Sequence, residues 1–302
     1  MKNEADGTFT LKWSDRELSL GERTHIMGVL NVTPDSFSDG GQFLAREAAI
    51  RQGLRMAGEG ADIIDVGGES TRPFAEKVSL QEEIDRVIPV IEALHRDLTI
   101  PISIDTFKAP VAREALRAGA SILNDITALR FDPDMMSTAA EAGVPVILMH
   151  MKGTPADMQK NPTYTNLIPE IMEFLADAKD RAIGGGIKEH MIVLDPGIGF
   201  GKTFDHNLEI IRDLSVFCKL GRPILLGSSR KAFLGHILDR EARERDTGTM
   251  ATVAAGVLNG ANIVRVHNVK MALDTVRVID AVRMGRIGDG SKESGSRGPG
   301  FG

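Results

Sequence analysis

Eight short apolar segments succeed one another down the chain, each running into a polar tip and then into a stretch with helical spacing. The tips are Asn31 after HIMGVL, Gly67 to Arg72 after ADIIDV, Asp105 after PISI, and Asn124-Asp125 after SIL. His150 follows PVILM, Asp195-Pro196-Gly197 follows MIVL, Ser228 to Lys231 follows PILLG, and Arg265-Val266-His267 follows ANIV. Strands that are apolar throughout are buried on both faces, the mark of a parallel sheet. Eight of them alternating with helices predict a single (β/α)8, or TIM, barrel of the α/β class, whose active site lies at the carboxyl ends of the strands. The chemically useful residues of this chain sit at those ends, which points to an enzyme.

The pattern predicts strands over 25–30, 61–66, 101–104, 121–123, 145–149, 191–194, 223–226 and 262–266. It predicts helices over 44–58, 80–95, 110–118, 133–142, 167–183 and 270–283, with 231–257 helical in two pieces that break near Arg245-Asp246. The glycines at 184–186 supply a left-handed helix stop. Ahead of the barrel, residues 9–13 and 17–20 alternate around Ser14-Asp15-Arg16 and read as a β-hairpin. The division is therefore residues 1–24 as a hairpin capping the barrel, 25–285 as the barrel, and 286–302 as a flexible, Gly/Ser-rich tail.

No Pro/Ser-rich linker splits the 302 residues, so one domain is favoured over two. A net charge of -6 argues against nonspecific binding to nucleic acid or to an anionic membrane, although a local Arg/Lys cluster can still take a small anion. No run of about 18 apolar residues offers a membrane span. The polar start MKNEADGTFTLKW is unlike a signal peptide, which predicts a cytoplasmic protein. The single cysteine, Cys218, lies among apolar neighbours in LSVFCKL and reads as a small buried hydrophobe rather than a nucleophile. Of the histidines, His95, His190 and His206 read as surface residues, His25 as a strand start and His236 as helical. His150 is a secondary candidate for the barrel mouth.

Three groups of tip residues carry chemistry. Asp105, Asn124 and Asp195 end strands three, four and six, where their donors and acceptors can hold the guanidine-like edge of a flat heterocycle. For any one of them a helix cap is as good a reading; three at equivalent positions favour binding. Lys231, Arg230, Arg265, His267 and Arg72 form a cationic set after strands two, seven and eight, and the last two loops of such barrels often hold phosphate. Asn31 and the loop Thr33 to Gly41 offer oxygens that suit Mg2+, although taken alone the loop reads as turns rather than a lid. The run Asp195 to Lys202, DPGIGFGK, lacks phosphate-loop spacing; its glycines instead let Phe200 and the backbone lie close to a flat ligand.

Together MGVLNVTPDSFSDGG, GADIIDVGGESTRP, ISIDTFK, ILNDI, LMHMKG, IVLDPGIGFGK, LLGSSRKAFLG and IVRVHNV resemble the dihydropteroate synthase family, in order and at family spacing over about residues 26–269. The resemblance implies condensation of dihydropterin methyl diphosphate with 4-aminobenzoate in folate biosynthesis, with Mg2+. Asp105, Asn124, Asp195 and Lys231 would hold the pterin, helped by Ile126, Met149, Phe200 and Gly227. Asn31 would sit at the metal and diphosphate, and Thr71, Arg72, Arg265 and His267 would bind the diphosphate. Phe37, Thr71, Pro73, Ser229 and Lys231 would border the aminobenzoate pocket, where sulfonamides compete. The resemblance also implies a homodimer, with the apolar helices over 250–284 supplying the shared face.

Two positions depart from the family pattern: Phe74 follows STRP where Gly is frequent, and Asn268 follows RVH where Asp is usual. Rival readings are a pterin-dependent corrinoid methyltransferase and a non-catalytic pterin-binding paralogue. The first has no need of SRK and RVH; the second would lose Asn31, Lys231, Arg265 or His267, and all are present.

Overall fold

The computed structural model describes residues 8–32, 41–70, 78–154 and 157–286. The hairpin pairs β1 (Phe9–Trp13) with β2 (Arg16–Leu20) in register Phe9↔Leu20 to Trp13↔Arg16. Its turn is two residues long, with Ser14 left-handed at φ 48°, so Arg16 belongs to the second strand rather than to the turn. Alternation decides the packing: Leu11, Trp13, Leu18 and Leu20 point into the main core, while Thr10, Lys12, Glu17 and Ser19 face solvent. Burying each large apolar side chain contributes about 2 kcal/mol. Arg16 donates to the carbonyl of Thr99 at 2.8 Å, and the Arg222 guanidinium lies 5.4 Å from the Phe9 ring. Both partners sit just before barrel strands, so the hairpin covers the amino end of the barrel.

The barrel strands are β3 (His25–Asn31), β4 (Ile63–Gly67), β5 (Ile102–Asp105), β6 (Ile122–Asp125), β7 (Val146–Met149), β8 (Ile192–Asp195), β9 (Leu225–Leu226) and β10 (Ile263–Val266). Among the described residues they form one parallel sheet in the order β8-β7-β6-β5-β4-β3-β10-β9. The ring closes between β8 and β9 through one parallel bridge, Leu194↔Ile224, and one bond from Leu194 N to Pro223 O at 2.9 Å. Around it run α1 (Gly41–Gly58), α2 (Leu80–Asp97), α3 (Ala109–Arg117), α4 (Met135–Ala142), α5 (Leu167–Gly184), α6 (Phe204–Arg212), α7 (Ala232–Leu238), α8 (Asp246–Leu258) and α9 (Val269–Met284). Among the described residues no helix is long and apolar enough to cross a membrane.

Most polar tips prove to be the last residues of their strands rather than the first residues of loops. Asn31 pairs with Gly67, Gly67 with Asp105, Asp105 with Asn124, and Met149 with Asp195. A ladder is held by backbone groups, so a terminal Asp or Asn can stay in it while its side chain turns to the mouth.

Other expectations need correcting. The cap of α5 is Gly185 with φ −82°, and the left-handed residue is Gly186, one position later. The break between α7 and α8 starts earlier than Arg245, at the left-handed Asp239, and includes a 3-10 turn over Ala242–Glu244. Cys218 is exposed: in the 3-10 segment Leu214–Leu220, Leu214 and Phe217 take the buried three-residue spacing and leave Cys218 outside it. All of the predicted tail after Arg286, and the loop-one and loop-two residues Phe37, Thr71, Arg72, Pro73 and Phe74, lie outside the described residues.

Candidate active site

At the mouth, β4, β5, β6, β8 and β10 bring acids, an amide and a guanidinium onto one another. Arg265 reaches across from β10, its Nε 2.6 Å from Asp65 Oδ2 and its Nη2 2.6 Å from Asp105 Oδ2. Asn124 donates its amide to the same Asp65 oxygen at 3.1 Å. Its carbonyl oxygen then has no partner among the described residues. Burial disfavours the Arg265 charge, but the facing carboxylates outweigh that and raise its pKa further.

The acids carry unequal burdens. Burial raises Asp105 to about 7, against the attraction of Arg265 and with help from Asp65. Asp195 is buried and also raised by desolvation, opposed by the bond its Oδ1 accepts from Gly197 N at 2.7 Å. Burial lowers Lys231 to about 8, and Arg265 pushes it the same way. Lys231 begins α7 and lies 4.2 Å from the Phe200 ring centre. Gly199, at φ +82°, passes so close that a Cβ there would meet Lys231 Cδ at 3.1 Å. The glycines of DPGIGFGK thus allow close approach to the protein's own chain: a Cβ on Gly197 would strike the His150 carbonyl and one on Gly201 the Lys152 carbonyl.

Ile126, Met149 and Phe200, which the sequence grouped as ring contacts, form a small apolar cluster with Met151 and Met158, separate from the main core. A Cβ on Gly227 would lie 3.9 Å from both Asp195 Oδ2 and Arg265 Cβ, so the glycine keeps the space over that acid open. Ser229 Oγ lies 2.9 Å from His267 Nδ1 and accepts from His267 N at 3.2 Å, which ties loop seven to loop eight. Asn31 Oδ1 lies near Gly67, beside Asp105.

Period-two alternation separates Asn124 from its neighbour. Asp125 accepts from Thr127 N, Thr127 Oγ1 and Leu129 N, and so pins a turn in which Ala128 and Leu129 are left-handed. Arg230 also leaves the expected cationic set. Its backbone is left-handed at φ 57°, which swings the guanidinium onto Asp246 at 2.7 and 2.9 Å. Asn268 donates to Asp246 Oδ2 at 2.9 Å and caps α9 by accepting from Met271 N at 3.2 Å. Both ends of that amide are used inside the protein, where an Asp would face a second carboxylate.

His150 is not a mouth residue. It packs edge-on against Phe174 of α5, with ring centres 4.7 Å apart, and its Nδ1 lies 2.8 Å from Lys202 Nζ. Burial first, and Lys202 next, hold the His150 pKa down to about 2. His206 does more than lie at the surface: with Thr203 it forms the capping box of α6.

Two residues escaped the sequence reading. Lys202 is almost fully buried, bonded to His150 and to the Phe200 carbonyl at 3.0 Å, with its pKa driven down by desolvation. Asp65 has no exposed surface and holds both Arg265 and Asn124. Its signal was in plain view: a carboxylate inside the apolar run ADIIDV is too costly to bury without partners.

The family described as pterin binding enzyme matches residues 27–267. A dihydropteroate synthase of Synechocystis sp. is 49% identical over 263 residues, 87% of this chain and 91% of that protein. Among solved structures, the Yersinia pestis dihydropteroate synthase with a sulfonamide drug complex superposes with a TM-score of 0.87 at 42% identity, covering 91% of this chain and 100% of that one. The Xanthomonas albilineans dihydropteroate synthase with 4-aminobenzoic acid gives a TM-score of 0.86 at 43% identity, covering 91% and 98%. By match length, identity and fold the chain belongs to the dihydropteroate synthase family of pterin-binding enzymes.

Proposed function

We propose that the chain condenses (7,8-dihydropterin-6-yl)methyl diphosphate with 4-aminobenzoate to give 7,8-dihydropteroate and diphosphate, a transferase step of folate biosynthesis. The observation that carries this reading is the convergence of Asp105, Asn124 and Asp195 beside half-buried Lys231, over an apolar wall containing Phe200. Three acceptors and one cationic donor suit the NH-rich edge and the ring acceptors of a pterin. The methylene–oxygen bond breaks, diphosphate leaves with the electron pair, and the amine nitrogen attacks the methylene and sheds a proton. Nothing is oxidised or reduced, and no protein nucleophile is used.

Asp105 sets negative charge near the methylene as it becomes cationic. Ile126, Met149 and Gly227 shape the ring slot. Asn31, Thr71, Arg72, Arg265 and His267 take the diphosphate, Arg265 through Nη1, which its two ion pairs leave over. Phe37, Thr71, Pro73, Ser229 and Lys231 border the aminobenzoate, so sulfonamides act as competitive inhibitors.

Mg2+ fits the donor set. Asn31 offers one neutral oxygen, and no group of three or more His, Cys, Asp or Glu able to hold a metal is found among the described residues. Diphosphate oxygens would add the negative charge that helps retain the ion, as is common for Mg2+. When bound it neutralises charge on the departing diphosphate. The exposed stripe Met271, Val278 and Val282 on α9, with Leu258 of α8, supplies the face for a homodimer. We place the enzyme in the cytoplasm.

The test is a turnover assay with both substrates and Mg2+, with EDTA as control. Metal-dependent release of dihydropteroate and diphosphate together is expected. Saturable pterin binding without product would overturn the reading in favour of a non-catalytic binding protein.

A further inference from the structure

Asp65 is fully buried two residues below the end of β4. It nevertheless holds one of the ring-facing groups. Its Oδ2 accepts from Arg265 Nε at 2.6 Å, which marks that oxygen as an acceptor, and from Asn124 Nδ2 at 3.1 Å. A carboxylate oxygen so placed cannot take the carbonyl end of an amide. Asn124 is 5% exposed and sits in the β6 ladder opposite Asp105, so its side chain has little freedom other than a flip of the amide.

We propose that Asp65 is a positioning residue that locks the amide of Asn124 with its carbonyl oxygen toward the mouth, and so makes the site read a ring edge of donors. The inference rests on the reading of the mouth as a pterin site. With Asn124 held this way, the three strand-end groups Asp105, Asn124 and Asp195 all present acceptors. A 2-amino-4-oxo pteridine offers an amino group and a ring N–H to such a surface. A pteridine-2,4-dione replaces the amino group with a second carbonyl and sets acceptor against acceptor. Sites built around hydrogen bonds reject an analogue that leaves them unpaired far more strongly than apolar pockets reject a change of size.

In Asp65→Asn the buried group can accept as well as donate, so the amide of Asn124 is free to turn either way. Discrimination then falls even where affinity for the pterin survives. Loss of packing alone would weaken both ligands together and leave their ratio untouched.

The experiment is calorimetric binding of 6-hydroxymethylpterin and of 6-hydroxymethylpteridine-2,4-dione, with a thermal melt on each variant. The wild type should favour the pterin by about 100-fold. Asp65→Asn should cut that preference by about tenfold or more, while the same change in an Asn124→Ala background should move the ratio by less than about twofold, since coupled residues are not additive. A folded Asp65→Asn protein with the wild-type ratio overturns the inference, and so does an equal fall in the Asn124→Ala background. If Asp65→Asn alone does not fold because Arg265 is left short of a partner, the Asp65→Asn/Arg265→Gln pair removes both charges and the same ratio is read there. A wild type that binds neither pteridine, or both equally, would instead sink the reading of the mouth itself.

Discussion

The two ends of the barrel use the same residue types to opposite purpose. At the base, Asp280 accepts from Thr24 N at 2.8 Å and Thr24 Oγ1 at 2.9 Å, and pairs with Arg283 at 3.0 Å. Asp62 accepts from Ile26 N at 2.8 Å and pairs with Arg23. Both oxygens of each acid are committed. At the mouth, among the described residues, Asp105 commits only Oδ2, to Arg265, and Asp195 only Oδ1, to Gly197 N. At the base both oxygens of each acid go into structure; at the mouth Asp105 and Asp195 each keep one for a ligand, while Asp65, deeper in β4, is wholly buried. At the mouth, desolvation outweighs the partners of Asp105 and Asp195 and raises both pKa values.

Lys231→Ala breaks the comparison hardest. It should lower kcat/KM by about 1,000-fold while the thermal melt stays cooperative; unchanged turnover would remove Lys231 from the site. Arg265→Ala strands the buried Asp65 and the half-buried Asp105 and should cost about 3 kcal/mol of stability as well as turnover, read by denaturant unfolding beside kinetics. At the base, Asp280→Ala should cost about 2 kcal/mol through the lost Thr24 bonds yet leave kcat/KM within about twofold. A large kinetic loss there would erase the distinction between the ends.

Pterin affinity should depend on pH as a bell. It rises as Asp105 ionises through about 7 and falls as Lys231 loses its proton above about 8. Asp105→Asn should flatten the acid limb and Lys231→Ala the alkaline limb, measured by titration calorimetry across pH 5.5 to 9.5, a range of roughly four units spanning both groups. The smallest effect is expected from Asn268→Asp. Asp remains a good cap for α9, but it faces Asp246; the change should cost about 0.5 kcal/mol and grow milder in salt.

The barrel was legible because unbroken apolar runs admit little else, and the mouth because strand ends of such a barrel face one opening. What stayed hidden depended on direction rather than on residue type. Arg230 and Lys231 are neighbours, yet a left-handed backbone at Arg230 sends its side chain to Asp246. His150 lies next to Met149, yet it faces a helix rather than the mouth. Cys218 has apolar neighbours but the wrong phase of a three-residue turn. Asp65 was readable by physics alone, as a charge no strand interior tolerates without partners, but only the fold names those partners.

The seam between β8 and β9 has a dynamic consequence. Every other junction of the barrel is a ladder of at least two register pairs, whereas this one hangs on the single bridge Leu194↔Ile224. Local opening follows the least cross-linked line of a structure, so the amide of Leu194 should exchange with deuterium before those of Ile104 or Leu123. Asp195 stands at the end of one lip of that seam and Gly227 at the end of the other. Opening along this seam would run between Asp195 and Gly227 and would leave paired the strands that hold Asp105 and Asn124.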